Sequence, residues 1–307
     1  MITTEKYVPV GIMINGIPAV RIGGLEHFDV SQVFDCGQAF RFLPVGDDPY
    51  HVGGVAFGKY IELVQSHDTL TIVNATVNDY EGIWKRYLGL DLDYGEIKRE
   101  LTDAFARQKD SGVFENAVKI GGGIRLLRQE PWECLCSFII SQNNNIPRIR
   151  KIIGALCEKY GEPIRFGESV HYSFPSAHVI ADAGIDEIFA LRTGFRAKYI
   201  CDAARAVSTG ELELDALKAL EPNEVERALC SVKGVGPKVA ACAMLFSLEK
   251  YDAFPIDVWV KRILEKYYPD GLDISALGRY AGIAQQYLFF YERYTVNAAE
   301  PKDRKRS

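Results

Sequence analysis

Positive charge is in short supply in this 307-residue sequence: 36 Lys and Arg stand against 41 Asp and Glu, a net charge of −5. That excludes a protein that is basic over its whole surface. A local basic face stays open, and it is the local field that a phosphate backbone responds to. Histidine is scarce too, and His27, His51, His67, His171 and His178 show no metal-ligand spacing. The seven cysteines are odd in number and contain no Cys-x-x-Cys pair, so they read as small buried residues, not as disulfides or zinc ligands. No apolar run approaches the roughly 20 residues a membrane helix requires. The opening MITTEKYVPV has neither the basic nor the apolar region of a secretion signal, so an intracellular protein of the cytoplasm, nucleoid or nucleus is expected. Neither a metal nor another cofactor is expected, and nothing in the sequence demands more than a monomer.

What the chain has is apolar content, 48%, enough for a proper core across two or three packed units. Residues 8–22, VPVGIMINGIPAVRI, read as a β-hairpin turned at Asn15-Gly16. Alternating stretches at 50–55, 60–65 and 69–73, separated by turn residues, predict an antiparallel sheet. Asn78 with Glu81, and Asp93 with Glu96, have the spacing of N-caps with a third-position acid. From about residue 107 helical periodicity takes over. Helices are expected from Pro131 through Ile140, from Ile146 to Gly161, over 176–183 and 185–191, from Arg196 to Val207, and from Tyr280 to about Tyr294, with 163–175 as a connection. The fold class is therefore α+β: an antiparallel sheet domain with helices over 1–106, then a helical pair of domains over 107–297. A charged tail, 298–307, is expected to be disordered.

The chemistry concentrates in residues 223–262. Asn223 can cap a short helix ending near Cys230. Lys233-Gly234-Val235-Gly236 is too glycine-rich for helix, and Pro237 suits a first helical position. The stretch is thus helix, hairpin, helix, with 223–248 as the motif. Two glycines ahead of a helix N-terminus favour an anion such as phosphate, although the same pattern also makes an ordinary helical corner. Lys238 falls in the first turn of the second helix, where the positive end of the helix dipole favours the free amine that Schiff-base chemistry needs. Asp257, in Pro255-Ile256-Asp257-Val258, reads as a helix cap, a catalytic carboxylate, or both.

LCSVKGVGPKVAACAM with FPIDVWVKR resembles the helix–hairpin–helix, Gly/Pro-rich loop and Asp signature of base-excision DNA glycosylases. A lysine at 238 is similar to the members that also cleave the strand. QEPWECLCSFIISQNNNIPRI, Cys36-Gly37-Gln38-Ala39-Phe40-Arg41 and YAGIAQQYLF resemble the 8-oxoguanine DNA glycosylases within that superfamily. The similarity covers the chain from about residue 30 to about residue 295.

The resemblance implies an enzyme that binds duplex DNA containing oxidised guanine, flips 8-oxoguanine out opposite cytosine, excises it through a Lys238 Schiff base and cleaves the strand by β-elimination. Asp257 would stabilise charge on the sugar. The Gly37 carbonyl would accept the N7–H that separates the lesion from guanine, which offers a lone pair there. Gln285 would face the base's pairing edge, with Phe289 and Cys242 as stacking walls and Cys242 available as a thiolate beside the lysine. Asn143 would fill the gap, although Gln142-Asn143-Asn144-Asn145 would also serve as a capping loop. Arg148 and Arg196 would read the opposite base, and Phe195, where tyrosine is common, would be the wedge. Gly234 and Gly236 would approach the backbone. Trp259, where a histidine is common, would lie near the phosphate, and Lys233, where a proline is usual, would add a phosphate contact. Arg125, Arg128, Arg148, Arg150, Lys151, Arg196, Lys198, Lys233, Lys261 and Arg262 would form the DNA face. The four-cysteine iron–sulfur pattern of some relatives is absent, so no cluster is expected. Three other readings stay open: a glycosylase for another base, which would not need Lys238; a helix–hairpin–helix binding module, which would need neither Lys238 nor Asp257; and a protein scaffold with no salt-dependent DNA binding.

Overall fold

The computed structural model describes residues 7–108 and 110–299. Asn15 and Gly16 both take positive φ, as a two-residue hairpin turn requires, and join β1 (Pro9–Ile14) to β2 (Ile17–Ile22). After α1 (Val30–Asp35), the chain adds β3 (Leu43–Pro44), β4 (His51–Ala56), β5 (Lys59–Ser66) and β6 (Thr69–Val73). All pair antiparallel in the order β1-β2-β6-β5-β4-β3. The short edge strand β3 was not legible as a strand.

Helical turns α2 (Val77–Asp79) and α3 (Lys85–Tyr87) flank a π turn, Tyr80–Trp84. The cap there is Thr76 with Asp79, not Asn78 with Glu81: the Thr76 hydroxyl accepts from the Asp79 amide and the Asp79 carboxylate accepts in return. Asp93 caps α4 (Tyr94–Ala106) as expected. Then follow α5 (Val113–Ile120), α6 (Pro131–Ser141) and α7 (Ile146–Tyr160), the last capped by Asn145. Residues expected as a connection form a second hairpin, β7 (Pro163–Phe166) and β8 (Ser169–Tyr172), turned at Gly167. α8 (Ala177–Ile188) breaks at Gly184 and leads through a π turn, Phe189–Thr193, to α9 (Arg196–Ser208). α10 (Pro222–Cys230) starts from Glu221, two residues before the expected Asn223, because Pro222 takes the first helical position. α11 (Pro237–Ser247), α12 (Val258–Tyr267) and α13 (Ala281–Ala299) complete the chain. The final helix thus continues past Tyr294 through Ala299, into the expected tail. The rest of that tail, 300–307, lies outside the described residues.

Two apolar cores result. One lies against the sheet, where Ile22, Val33, Ile61, Leu63, Ile72 and Trp84 are fully enclosed; the other fills the helical part. Residues 124–127 stitch them together, because Ile124 and Leu126 enter the helical core while Leu127 enters the sheet core. Between them Arg125 is completely buried. It donates to the carbonyls of His27 (2.9 Å), Gly89 (2.7 Å) and Glu26 (2.9 Å), and its guanidinium lies 4.5 Å from the Tyr94 ring centre. Arg128 is buried against Asp91 (2.6 Å) and the Tyr251 hydroxyl (2.6 Å). These two cations, expected on a DNA face, are internal struts: a buried guanidinium is stable only where carbonyls or a carboxylate satisfy it.

Candidate active site

Lys238 stands on the first turn of α11, placed there by Gly236 as N-cap and Pro237 as first residue. Gly236 has no side chain to cap the first-turn amides, which remain available to an anion. Gly234 takes φ +88°, and a Cβ there would come 2.1 Å from the Tyr199 ring, so only glycine lets the hairpin pack against α9. The half-buried ammonium of Lys238 donates to the Ser141 hydroxyl at 3.3 Å and lies 5.2 Å from the centre of the Phe138 ring.

A cavity of about 460 Å³ opens in front of Lys238. Asp257 reaches it from the start of α12, where one carboxylate oxygen accepts from the Val260 amide at 2.9 Å. Asp257 therefore caps α12, as one of the sequence alternatives has it, and also lines the cavity. Cys242, one turn beyond Lys238, is 3% exposed and lines the same cavity. Burial pushes its thiol up to about 11, and the neighbouring ammonium only partly offsets this. At neutral pH Cys242 is a thiol, which corrects the thiolate expected from its proximity to the lysine.

The opposite wall comes from α13 and from the turn after α1. Gly37 takes φ +79°, and a Cβ there would meet the Phe289 ring at 3.5 Å. Gln285 is 5% exposed, lines the cavity, and its side-chain carbonyl oxygen is buried with no hydrogen-bond partner. Buried polar atoms are rarely left so. Two residues that sequence reasoning passed over hold this wall. Gln286 donates to the Cys36 carbonyl at 3.1 Å, and Arg293 donates to the Asp35 carbonyl and carboxylate. Their spacing from Gln285, one and eight residues along the same helix, carried no separate signal.

At the rim, Asn143 is exposed in a left-handed conformation with φ 47°. Its loop is tied down from below. Gln142 donates to the Gly234 carbonyl at 3.1 Å, which links the loop to the hairpin. Arg196, 2% exposed, donates to the carbonyls of Gln142 (2.8 Å), Asn143 (2.8 Å) and Thr193 (3.1 Å). Its side chain is directed into the protein, whereas Arg148 is exposed and touches only the Arg192 carbonyl at 3.4 Å. Phe195 is 55% exposed and leans on Tyr199, with the Arg196 guanidinium 4.4 Å from its ring centre. Trp259 lines the cavity and carries the Arg262 guanidinium at 5.2 Å. Structure thus brings Gly37, Lys238, Cys242, Asp257, Trp259, Gln285 and Phe289 to one cavity, and leaves Asn143, Arg148 and Phe195 on the surface beside it. A larger cleft of about 680 Å³, between Phe57, Arg86, Trp132 and Lys218, holds none of them.

Among the described residues no group of His, Cys, Asp and Glu is arranged to hold a metal ion, and no helix is long and apolar enough to cross a membrane.

Residues 23–135 match the family model described as the N-terminal domain of 8-oxoguanine DNA glycosylase, and residues 136–273 match that of HhH-GPD superfamily base excision DNA repair proteins. The solved structure of MBOgg1, in complex with a low affinity DNA ligand, is 38% identical with a TM-score of 0.87, over 95% of this chain and 99% of that one. The 8-oxoguanine glycosylase/lyase of Clostridium acetobutylicum, in complex with double-stranded DNA containing cytosine opposite 8-oxoG, is 35% identical with a TM-score of 0.86, over 95% of this chain and all of that one. An Arabidopsis thaliana N-glycosylase/DNA lyase, OGG1, is 32% identical over 246 residues, which is 73% of this chain and 61% of the relative's length. With both domains matched and a shared fold over almost the whole length of two solved relatives, the chain belongs to the 8-oxoguanine DNA glycosylase family of base-excision repair proteins.

Proposed function

We propose that this chain is a bifunctional DNA glycosylase and lyase that removes 8-oxoguanine, opposite cytosine, from duplex DNA. The observation that carries the reading is the cavity itself: the side chains of Lys238, Asp257 and Gln285 line one space that Gly37 and Phe289 also line. A binding module has no use for that set.

In this reading the hairpin amides around Gly234–Gly236 hold the lesion strand. Phe195 enters the stack as a wedge, and Asn143 takes the space the base leaves. Unstacking costs roughly a few kcal/mol, offset by contacts in the cavity. The base lies between Phe289 and the neutral thiol of Cys242. The Gly37 carbonyl accepts N7–H of the lesion and Gln285 accepts from the pairing edge. Guanine presents a lone pair to that carbonyl and loses the contact. Arg148 reads the opposite cytosine from the surface. Arg196 acts behind it: with its guanidinium donating to the carbonyls of Gln142 and Asn143, it positions the loop.

The amine of Lys238 then attacks C1′. The C1′–N9 bond breaks and its electron pair leaves with the base, which takes a proton. Asp257 stabilises the positive charge that develops on the sugar. Loss of a proton from nitrogen and opening of the sugar ring give the Schiff base. Removal of a C2′ proton expels the 3′ phosphate by β-elimination.

The test is duplex carrying 8-oxoguanine opposite each of the four bases, incubated with and without borohydride. Cleavage and covalent trapping, greatest opposite cytosine, are expected. Base release without trapping would remove Lys238 from the chemistry, and binding without release would leave only a binding module.

A further inference from the structure

A second, polar cleft of about 350 Å³ opens beside the hairpin, between α9 and the turn that precedes Gly234. Lys198, Asp202 and Arg205 line it from one face of α9, and Ser231 and Lys233 line it from the turn, over a floor of buried Leu212. Arg205 is engaged by Asp202 at 3.2 Å. Lys198 and Lys233 are exposed and, among the described residues, have no hydrogen bond or ion pair. The cleft therefore presents two unneutralised ammonium groups from two different elements. Glu211 also lines the cleft and, among the described residues, forms no ion pair with either. Lys198, Arg205 and Lys233 outnumber Asp202 and Glu211 by one, so the cleft keeps a net positive charge that suits an anion.

The position is informative. Gly234 rests against the Tyr199 ring, so the turn that carries Lys233 packs directly on α9, which carries Lys198. The cleft begins one residue before Gly234, where the hairpin amides begin. Ser231 donates its hydroxyl proton to the Ala228 carbonyl at 2.7 Å, so it adds no free donor, and the ligand must be drawn by charge. Arg125 and Arg128, cations of the same sequence cluster, are satisfied inside the protein and draw nothing.

We propose that Lys198 and Lys233 form a seat for one DNA phosphate adjoining those held by the hairpin amides, which extends the footprint along α9. The inference rests on the reading of this chain as a DNA-binding glycosylase. A phosphate diester suits the seat because it is a compact anion whose two free oxygens can each face one ammonium group.

The test measures the affinity of the full chain for undamaged duplex across a salt series. Neutralising one phosphate contributes about 0.9 to the slope of log affinity against log salt for duplex DNA. The double variant Lys198→Ala/Lys233→Ala is expected to lose about one unit of slope. Each single variant should lose part of it, and Lys119→Ala, an exposed lysine on α5 remote from the hairpin, none. Shortening the duplex until the adjoining phosphates are gone should erase the difference between the double variant and wild type. A double variant with the wild-type slope, or one no different from Lys119→Ala, would overturn the seat. Failure of the underlying reading looks different: wild type would bind with its full slope and release no base from lesion duplex.

Discussion

The Gly37 turn and the Asn143 loop are both short, both contain a residue in left-handed backbone, and both are tied down by donors from other elements. Gln286 and Arg293 hold the first and Arg196 holds the second, which Gln142 in turn ties to the Gly234 carbonyl. They differ in what the ties leave over. Around Gly37 the bonds close the turn against Phe289 at a cavity, where a glycine without side chain leaves the backbone itself as the lining. Around Asn143 the bonds occupy the carbonyls from below and free the side chain above. The same device, a donor on a main-chain carbonyl, thus builds a cavity wall in one place and an exposed side chain in the other.

The sharpest way to break this comparison is to remove the amine that the proposed reading places at the centre of both. Lys238→Gln should bind lesion duplex yet release base at least about a thousandfold more slowly and form no borohydride-trapped complex. Trapping that survives would show that the two loops assemble around a different nucleophile.

Arg196→Ala leaves the carbonyls of Gln142, Asn143 and Thr193 without their donor, at a cost of about 1–3 kcal/mol. Single-turnover base release should fall along with thermal stability. A loss confined to discrimination of the opposite base, with unchanged stability, would return Arg196 to direct readout.

Gly37→Ala tests the other loop. A side chain at φ +79° costs roughly 1–2 kcal/mol, while its methyl would only touch Phe289 at ordinary contact distance. Excision of 8-oxoguanine should drop more than affinity for abasic duplex, which has no base to place. Equal losses on both would assign Gly37 to folding alone.

The smallest effect is expected at Cys242. Its thiol, held near 11, keeps its proton when the unfolded chain's thiol, ordinarily near 9, has lost it. The folded state then binds more protons than the unfolded state between those values, so stability falls as pH rises through that window. Cys242→Ala should remove about one or two kcal/mol of that fall in chemical denaturation from pH 9 to 11, while leaving trapping at neutral pH.

Much of this was legible because it is local. Asn15-Gly16 needs two positive φ values, Pro237 needs the first place in a helix, and Asp93 and Asp257 need only an amide three residues on. Errors came where local signals compete. Thr76 outcompetes Asn78 as a cap because its own third-position partner, Asp79, completes the reciprocal pair. The hairpin β7–β8 is short, and its Pro163 and exposed positions obscure the alternation.

The sequence by itself determined the elements, the hairpin, and the residue types the chemistry needs, since backbone propensity and spacing are written in adjacent residues. Only the tertiary structure decided which charges remain free. Arg125 and Lys198 look alike in a list of basic residues, but one is enclosed by carbonyls from two distant segments and the other faces solvent. The same holds for Cys242, whose ionisation follows the desolvation imposed by the whole cavity more than the lysine one turn away. Burial and pairing arise from residues far apart in the chain, and that is why no stretch of sequence announces them.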